Sequence, residues 1–557
     1  MIARALHVLA HEPLDRGGVE DPRGAQPVGR QHLAQERHQR TAEPRPEGHA
    51  DRFRGTCDTI RAPHARVDRG LLEAILSERF SDRSWFCQHR VELLVGGIVV
   101  FSGAYFFQGG GWNQNAQLAT VVSIVERGTV YIDEPSRSST GDVAKVRGQY
   151  VSNKAIGTPL LAVPGYVLAR TLTLGIENHG TQVILRAYLT TVFTMGAALA
   201  LGAVLIYRLG LRRLADRDAA ALALGITLAT PLFPNCIMLT AHPLAAVAAL
   251  AGYFVLEKPR LEGGRSTSAR LFAGGVLSAL PMTFDYVATL VLLPLGAYAL
   301  WQARRFWRIA WFAVGVLAVS AIPLTYHALV FGHPFRTAHA FLAHAGFAAY
   351  MNQGFFGFQS FSLERLFELT FGPSRGLFFL SPFLVAALPG WVRLIRERTS
   401  RAEGIVTGFA AWMIVLLLAC LVYWHSGWSM GSRYALMFFV FAAVPVAAIL
   451  PHHRAWILLA MVPGFVIMVL SASVTASPPE PGGGAENVVR WLWDHFAAGE
   501  LAMGNEPILG VAAADPHIPF AFNLGTLMGL RGVWSVVPYL VVSAAACGVL
   551  LRVTSRP

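Results

Sequence analysis

Apolar runs recur along this chain every 25 to 40 residues or so, roughly the length that crosses a hydrocarbon core, and short turns rich in arginine separate many of them. The pattern predicts spans over 91–107, 183–207, 220–234, 239–256, 271–284, 286–301, 309–331, 376–392, 406–423, 434–450, 456–472 and 533–551. Arginines flank alternate span ends, at Arg79/Arg83/Arg90, Arg208/Arg212/Arg213/Arg217, Arg304/Arg305/Arg308, Arg393/Arg396/Arg398/Arg401 and Arg552. By the positive-inside rule those ends are cytoplasmic. Three long polar stretches, 108–180, 332–375 and 473–532, then share the outer face.

Two segments of the first outer stretch have helical character. Residues 115–127 show helix-like apolar spacing and are expected to lie along the interface. Residues 155–174 are apolar but broken by Pro159 and Pro164. A path from the outside to the basic turn after 207 allows one crossing, so 155–174 is expected as an interfacial helix. The third stretch opens with SPPEPGGG and carries a short amphipathic segment near 488–496, expected as a cap or a surface loop. These elements define an all-α polytopic membrane protein of about twelve transmembrane helices, with interfacial helices in the first outer loop. The division is a tail at 1–88, a membrane region at 89–472, an outer loop at 473–532, and a last span with its tail at 533–557.

Composition agrees. Of 557 residues 54% are hydrophobic and 14% charged, against about a quarter charged in soluble chains. The net charge of +12 reflects cytoplasmic arginines, and no basic stripe with interleaved aromatics points to nucleic acid. Cys57, Cys87, Cys236, Cys420 and Cys547 are scattered without metal-ligand spacing, so no disulfide framework or zinc site is indicated. The tail mixes arginine with acids and lacks periodicity; it reads as disordered, or as leader ahead of an internal start.

Charge near membrane depth is expensive, so the few acids and cations at outer span ends are the candidates for chemistry. The first outer stretch holds Asp133, Asp142 and Lys154. Asp133 and Asp142 are candidate general bases, or plain loop acids beside the Ser138-Ser139-Thr140-Gly141 turn. Lys154, Arg375 and Arg433 are candidates for holding an anionic leaving group. Arg433 begins a span on the outer face, against the positive-inside trend. His242 and Asp285 stand at span ends, as helix-end polar groups or cavity lining. Trp424, Trp428 and Tyr434 belong to an aromatic belt or to the cavity, and Tyr150 is a further cavity or acceptor candidate.

In order, these segments resemble the GT-C superfamily of membrane glycosyltransferases, the bacterial relatives of protein O-mannosyltransferases and aminoarabinose transferases. The carriers are Tyr150-Val151-Ser152-Asn153-Lys154-Ala155-Ile156-Gly157, similar to a YYSxKAPG stretch, FGPSRGLFFLSPF at 371–383 and WHSGWSMGSRY at 424–434. The resemblance covers about 91–451 and departs from the family pattern in several places. Ile156 replaces a proline, Gln149 precedes Tyr150, Ser426-Gly427 replaces a glycine pair, and no acid pair follows the first span. It implies a polyprenyl-phosphate sugar as donor, and inverting transfer to a glycan, lipid or protein acceptor. It places that reaction at the outer face of a bacterial cytoplasmic membrane, with Asp133 first and Asp142 second as base. A divalent metal is neither named nor excluded. The competing readings are a transporter or flippase using the same cavity, and a structural envelope subunit.

Overall fold

The computed structural model describes residues 88–261, 267–303, 306–351, 353–354, 357–504, 507–511 and 518–555. The tail expected over the first 88 residues lies, but for its last residue, outside them. Helices stand at each of the twelve expected places. Among the described residues six are long and apolar enough to cross a membrane: His179–Gly210, Ile309–Phe331, Arg401–Leu418, Arg433–His452, Arg454–Val474 and Gly532–Thr554. The other places carry shorter or interrupted helices, such as Asp216–Leu228 and Leu232–Cys236, split at Thr230-Pro231.

The Leu436–Ile449 helix is buried at every position. It is apolar on all sides, which suits only the middle of a bundle. The Ala241–Leu261, Ala387–Arg396 and Arg401–Leu418 helices surround it. Ser268–Phe284 packs closely on Ile309–Phe331: a side chain on Gly275 would strike the Phe312 carbonyl, and one on Gly315 the Phe272 carbonyl. Small residues let the two backbones touch, as in many membrane helix pairs.

At the end read as cytoplasmic, ion pairs tie the helices together. Arg208 Nε and Nη2 each donate to Glu92 at 2.8 Å, and Arg454 Nε lies 2.7 Å from Asp218. Deeper in, Arg213 grips Glu403 through both carboxylate oxygens at 3.1 and 2.6 Å. Arg212 Nη1 stands 3.7 Å from Glu257, which also accepts from Tyr298.

The opposite end is a laced cap. β1 (Phe106–Gln108) continues the first helix and pairs antiparallel with β4 (Ala521–Asn523). β2 (Val143–Val146) and β3 (Gln149–Ser152) form a hairpin turned by Arg147 and Gly148, both at positive φ, as a two-residue primed turn requires. The helix expected along the interface runs from Trp112 to Val122 and continues as a π turn to Arg127, but Asn113 through Val121 are all buried. Asn115 is used inside the cap, its Nδ2 donating to the carbonyls of Ser139 and Pro507. That demand for partners, invisible in apolar spacing, draws it off the surface. The Gly157–Leu172 helix spans 16 residues, about 24 Å, short of a roughly 30 Å hydrocarbon core. The amphipathic segment of the third stretch is a helix over Val488–Ala498.

Candidate active site

The hairpin positions the first acid. Thr140 Oγ1 donates to the Trp112 carbonyl and accepts from Asp142 N. Gly141 lies flat against the Trp112 ring, where any side chain would collide with the indole. Asp142, 4% exposed, then sits opposite Asn153, whose N–H donates to the Asp142 carbonyl at 3.0 Å. Asp142 Oδ1 accepts from Lys154 Nζ at 2.9 Å and from Asn153 Nδ2 at 3.3 Å. No hydrogen bond reaches Oδ2 among the described residues. Burial and the nearby Arg433 hold the Lys154 ammonium below its usual range, and Asp142 opposes them.

Gly157 joins this loop to the next wall. A side chain there would run into the backbone and hydroxyl of Thr283, two residues before Asp285. Asp285 Oδ1 caps Val287 N at 3.1 Å, and Oδ2 lies 3.0 Å from His242 Nδ1. The His242 ring meets Tyr434 edge-on at 4.7 Å. Gly157→Val is expected to push Lys154 away from Asp285 and to cost about 1–3 kcal/mol through overpacking. Thermal unfolding in detergent checks the loss of stability, and unchanged unfolding would show that the contact yields.

Arg433 enters from the far side on a loop of left-handed turns. Ser426, Gly427 and Gly431 have φ of 66°, 70° and 66°. Gly427 leaves no room for a Cβ beside the Tyr423 hydroxyl, and Ser426 Oγ meets Ser432 Oγ at 2.8 Å. Arg433 is half-buried; its Nε is buried without a hydrogen-bond partner among the described residues. Lys154 and His242 both lie within its electrostatic reach. Trp424 packs against the core with its carbonyl on Ser432 Oγ, whereas Trp428 is largely exposed.

Arg375 corrects an expectation. It is fully buried, and its N–H groups go to the carbonyls of Ser374, His425, Gly427 and Pro479 at 2.9–3.3 Å. A guanidinium so committed clamps three outer loops and has little left for a phosphate. Burial pushes it down to about 10, so it stays charged at neutral pH. Asp133 and Tyr150 are also displaced from their expected place. Asp133 caps a short helix, its Oδ1 accepting from Ser136 N at 3.1 Å, and pairs with Arg127 Nη1 at 3.0 Å. Tyr150 lies beneath Arg137 and Lys145, about 10 Å along the strand from Asn153. Both line a surface pocket of about 360 Å³ on that side of the hairpin, apart from Asp142.

The second outer stretch adds a residue that the sequence did not single out. Ala343 N donates to the Val143 carbonyl at 3.0 Å and Leu342 bridges Ala144, so this stretch is pinned onto β2. His339, just before, lies within reach of Lys154, Asp285 and Asp142. Burial and Lys154 push its imidazole down to about 4. In the third wall His425 is pushed down to about 4 by burial, Arg375 and Arg433, with Glu480 Oε2 3.5 Å from its Nδ1. Both histidines are neutral in the folded protein from pH 6.5 down toward about 4, while the unfolded chain takes up protons there. Stability therefore falls as pH drops through that window. Thermal midpoints in detergent are expected to decline over it, less steeply in His425→Gln; an identical slope would remove His425 from the account.

The result is a polytopic helical membrane protein with acids, cations and imidazoles gathered at one end of its bundle: Asp142, Lys154, His242, Asp285, His339, Arg433 and Tyr434. Among the described residues no group of three or more His, Cys, Asp or Glu is arranged to hold a metal ion. Two solved structures of ArnT from Cupriavidus metallidurans are similar to this chain. The one bound to undecaprenyl phosphate matches at a TM-score of 0.46 and 15% identity, covering 84% of this chain and 76% of that one. The apo structure matches at 0.44 and 14%, covering 85% and 76%. No family model and no curated protein matches the sequence.

Proposed function

We propose that this chain is a membrane glycosyltransferase that moves a sugar from a polyprenyl-phosphate donor to a hydroxyl acceptor on the outer side of the membrane. One observation carries the reading. A buried carboxylate, Asp142, pairs with Lys154 and keeps its Oδ2 free among the described residues, and Arg433, within electrostatic reach of Lys154, has a buried Nε without a partner among them. That arrangement suits a reaction in which a hydroxyl loses a proton and a phosphate departs. The resemblance of the Lys154 and Arg433 segments to membrane glycosyltransferases supports the same reading.

In this scheme Asp142 Oδ2 takes the proton of the acceptor hydroxyl as its oxygen bonds to the anomeric carbon. The bond from that carbon to the phosphate oxygen breaks with inversion, and the electron pair leaves with the phosphate. Lys154 and Arg433 neutralise the departing charge. Of the candidate acids Asp133, Asp142 and Asp285, Asp142 has the best claim as base: Asp133 and Asp285 have both oxygens engaged. His242, steadied by Asp285, borders the reacting groups. The arginine-rich turns at the other end of the helices support an outer-face site.

Incubating the purified chain with labelled polyprenyl-phosphate sugars and extracted envelope acceptors tests the reading. Label moving to the acceptor with release of polyprenyl phosphate is expected. Donor binding without any release or transfer would favour a flippase instead.

A further inference from the structure

We propose that Asn153 and His339 form the subsite that reads the hydroxyls of the transferred sugar, so that these two residues set which sugar the chain accepts. The inference rests on the glycosyltransfer reading above and adds to it the residues that face the sugar.

Asn153 is 6% exposed, and its amide is oriented by chemistry: only the nitrogen can donate to Asp142 Oδ1. Its Oδ1 is thereby fixed as a buried acceptor, and it has no partner among the described residues. Buried acceptors are nearly always satisfied, so one left open beside a reacting carboxylate marks a place that a ligand fills. His339 supplies the complementary half. Its Nδ1 lies 3.3 Å from Thr337 Oγ1. With that hydroxyl donating, the ring proton sits on Nε2, which has no partner among the described residues.

Two backbone contacts make the pairing of these distant residues a property of the fold. The second outer stretch is fastened to β2 at Val143 and Ala144, directly after Asp142. Tyr286, whose hydroxyl meets His327 Nε2 at 2.8 Å, packs its ring 6.3 Å from His339 and supports it from behind. The groups facing His339 are Lys154, Asp285, Asp142 and His327; burial, Lys154 and His327 leave its ring uncharged at neutral pH against the opposing pull of the two carboxylates. A neutral donor and a neutral acceptor flanking Asp142 suit a polyol. The phosphate is served by the cations, and the lipid by apolar helix faces.

The test compares binding of bare undecaprenyl phosphate with binding of the same carrier bearing mannose, glucose or arabinose, using the full chain in detergent. Wild type is expected to bind one sugar-bearing carrier more tightly than the bare one. Asn153→Leu and His339→Phe should each lose roughly tenfold more affinity for the preferred sugar-bearing carrier than for the bare one. His339→Gln, which restores a neutral donor, should recover part of it. Variants that keep the full preference, or that lose bare and sugar-bearing carriers equally, overturn the subsite and leave the glycosyltransferase reading standing. A wild-type chain that binds no carrier at all overturns that reading itself.

Discussion

Asp142→Asn is expected to lower transfer by about 10²–10⁴, the usual contribution of a positioned general base. Carrier binding should change little, whereas the thermal midpoint is expected to fall because Lys154 loses its counter-charge. The amide keeps the shape of the side chain and its contact with Asn153, and Arg433 keeps its charge for the phosphate. Asp133→Asn gives the contrast. That acid caps a four-residue helix and pairs with Arg127 at the protein surface, so its loss should leave turnover within a few-fold of wild type. A fully active Asp142→Asn alongside a dead Asp133→Asn would move the chemistry to the far side of the hairpin. Both rates are read from release of labelled carrier under single-turnover conditions.

The second large effect is expected on stability, at the other end of the bundle. Glu403 is 1% exposed and holds Arg213 through both oxygens, with Arg212 Nη1 3.9 Å away. Glu403→Ala leaves a guanidinium without its counter-charge in a water-poor setting. Removing one partner of a buried pair typically costs about 3–5 kcal/mol. A markedly lower thermal midpoint in detergent is the measurement. Replacing Arg213 and Glu403 together with leucine should be much milder, because no stranded charge remains. If the single variant melts like wild type, the pair contributes nothing to holding the Arg401–Leu418 helix against its neighbours.

Much of this architecture is legible in the sequence because a membrane forces apolar runs to be long and charges to be placed. The places of the helices follow from that, and so does the exceptional position of Arg433, a cation at an outer span end. What hides is whatever depends on loops meeting far from their own neighbours. Arg375 looks like a free cation until the carbonyls of Gly427 and Pro479 arrive from 52 and 104 residues away. Asp133 and Asp142 look equivalent as loop acids, and only the register of β2 against β3 sets Asp142 beside Asn153 and Lys154. The Trp112–Val122 helix reads as a surface element, since its amides find partners only once distant residues arrive: Asn115 at Ser139 and Pro507, Gln114 at Met238. His339 shows no motif at all; the bridge from Leu342 to Ala144 gives it its place.

The pairing of Phe106–Gln108 with Ala521–Asn523 joins the exit of the first helix to a strand more than 400 residues downstream. During synthesis the opening strand therefore waits, with an unpaired edge, until almost every other helix has been inserted. A ribosome stalled before residue 521 would leave a bundle whose roof is unfastened, and quality-control proteases would meet that loose edge first.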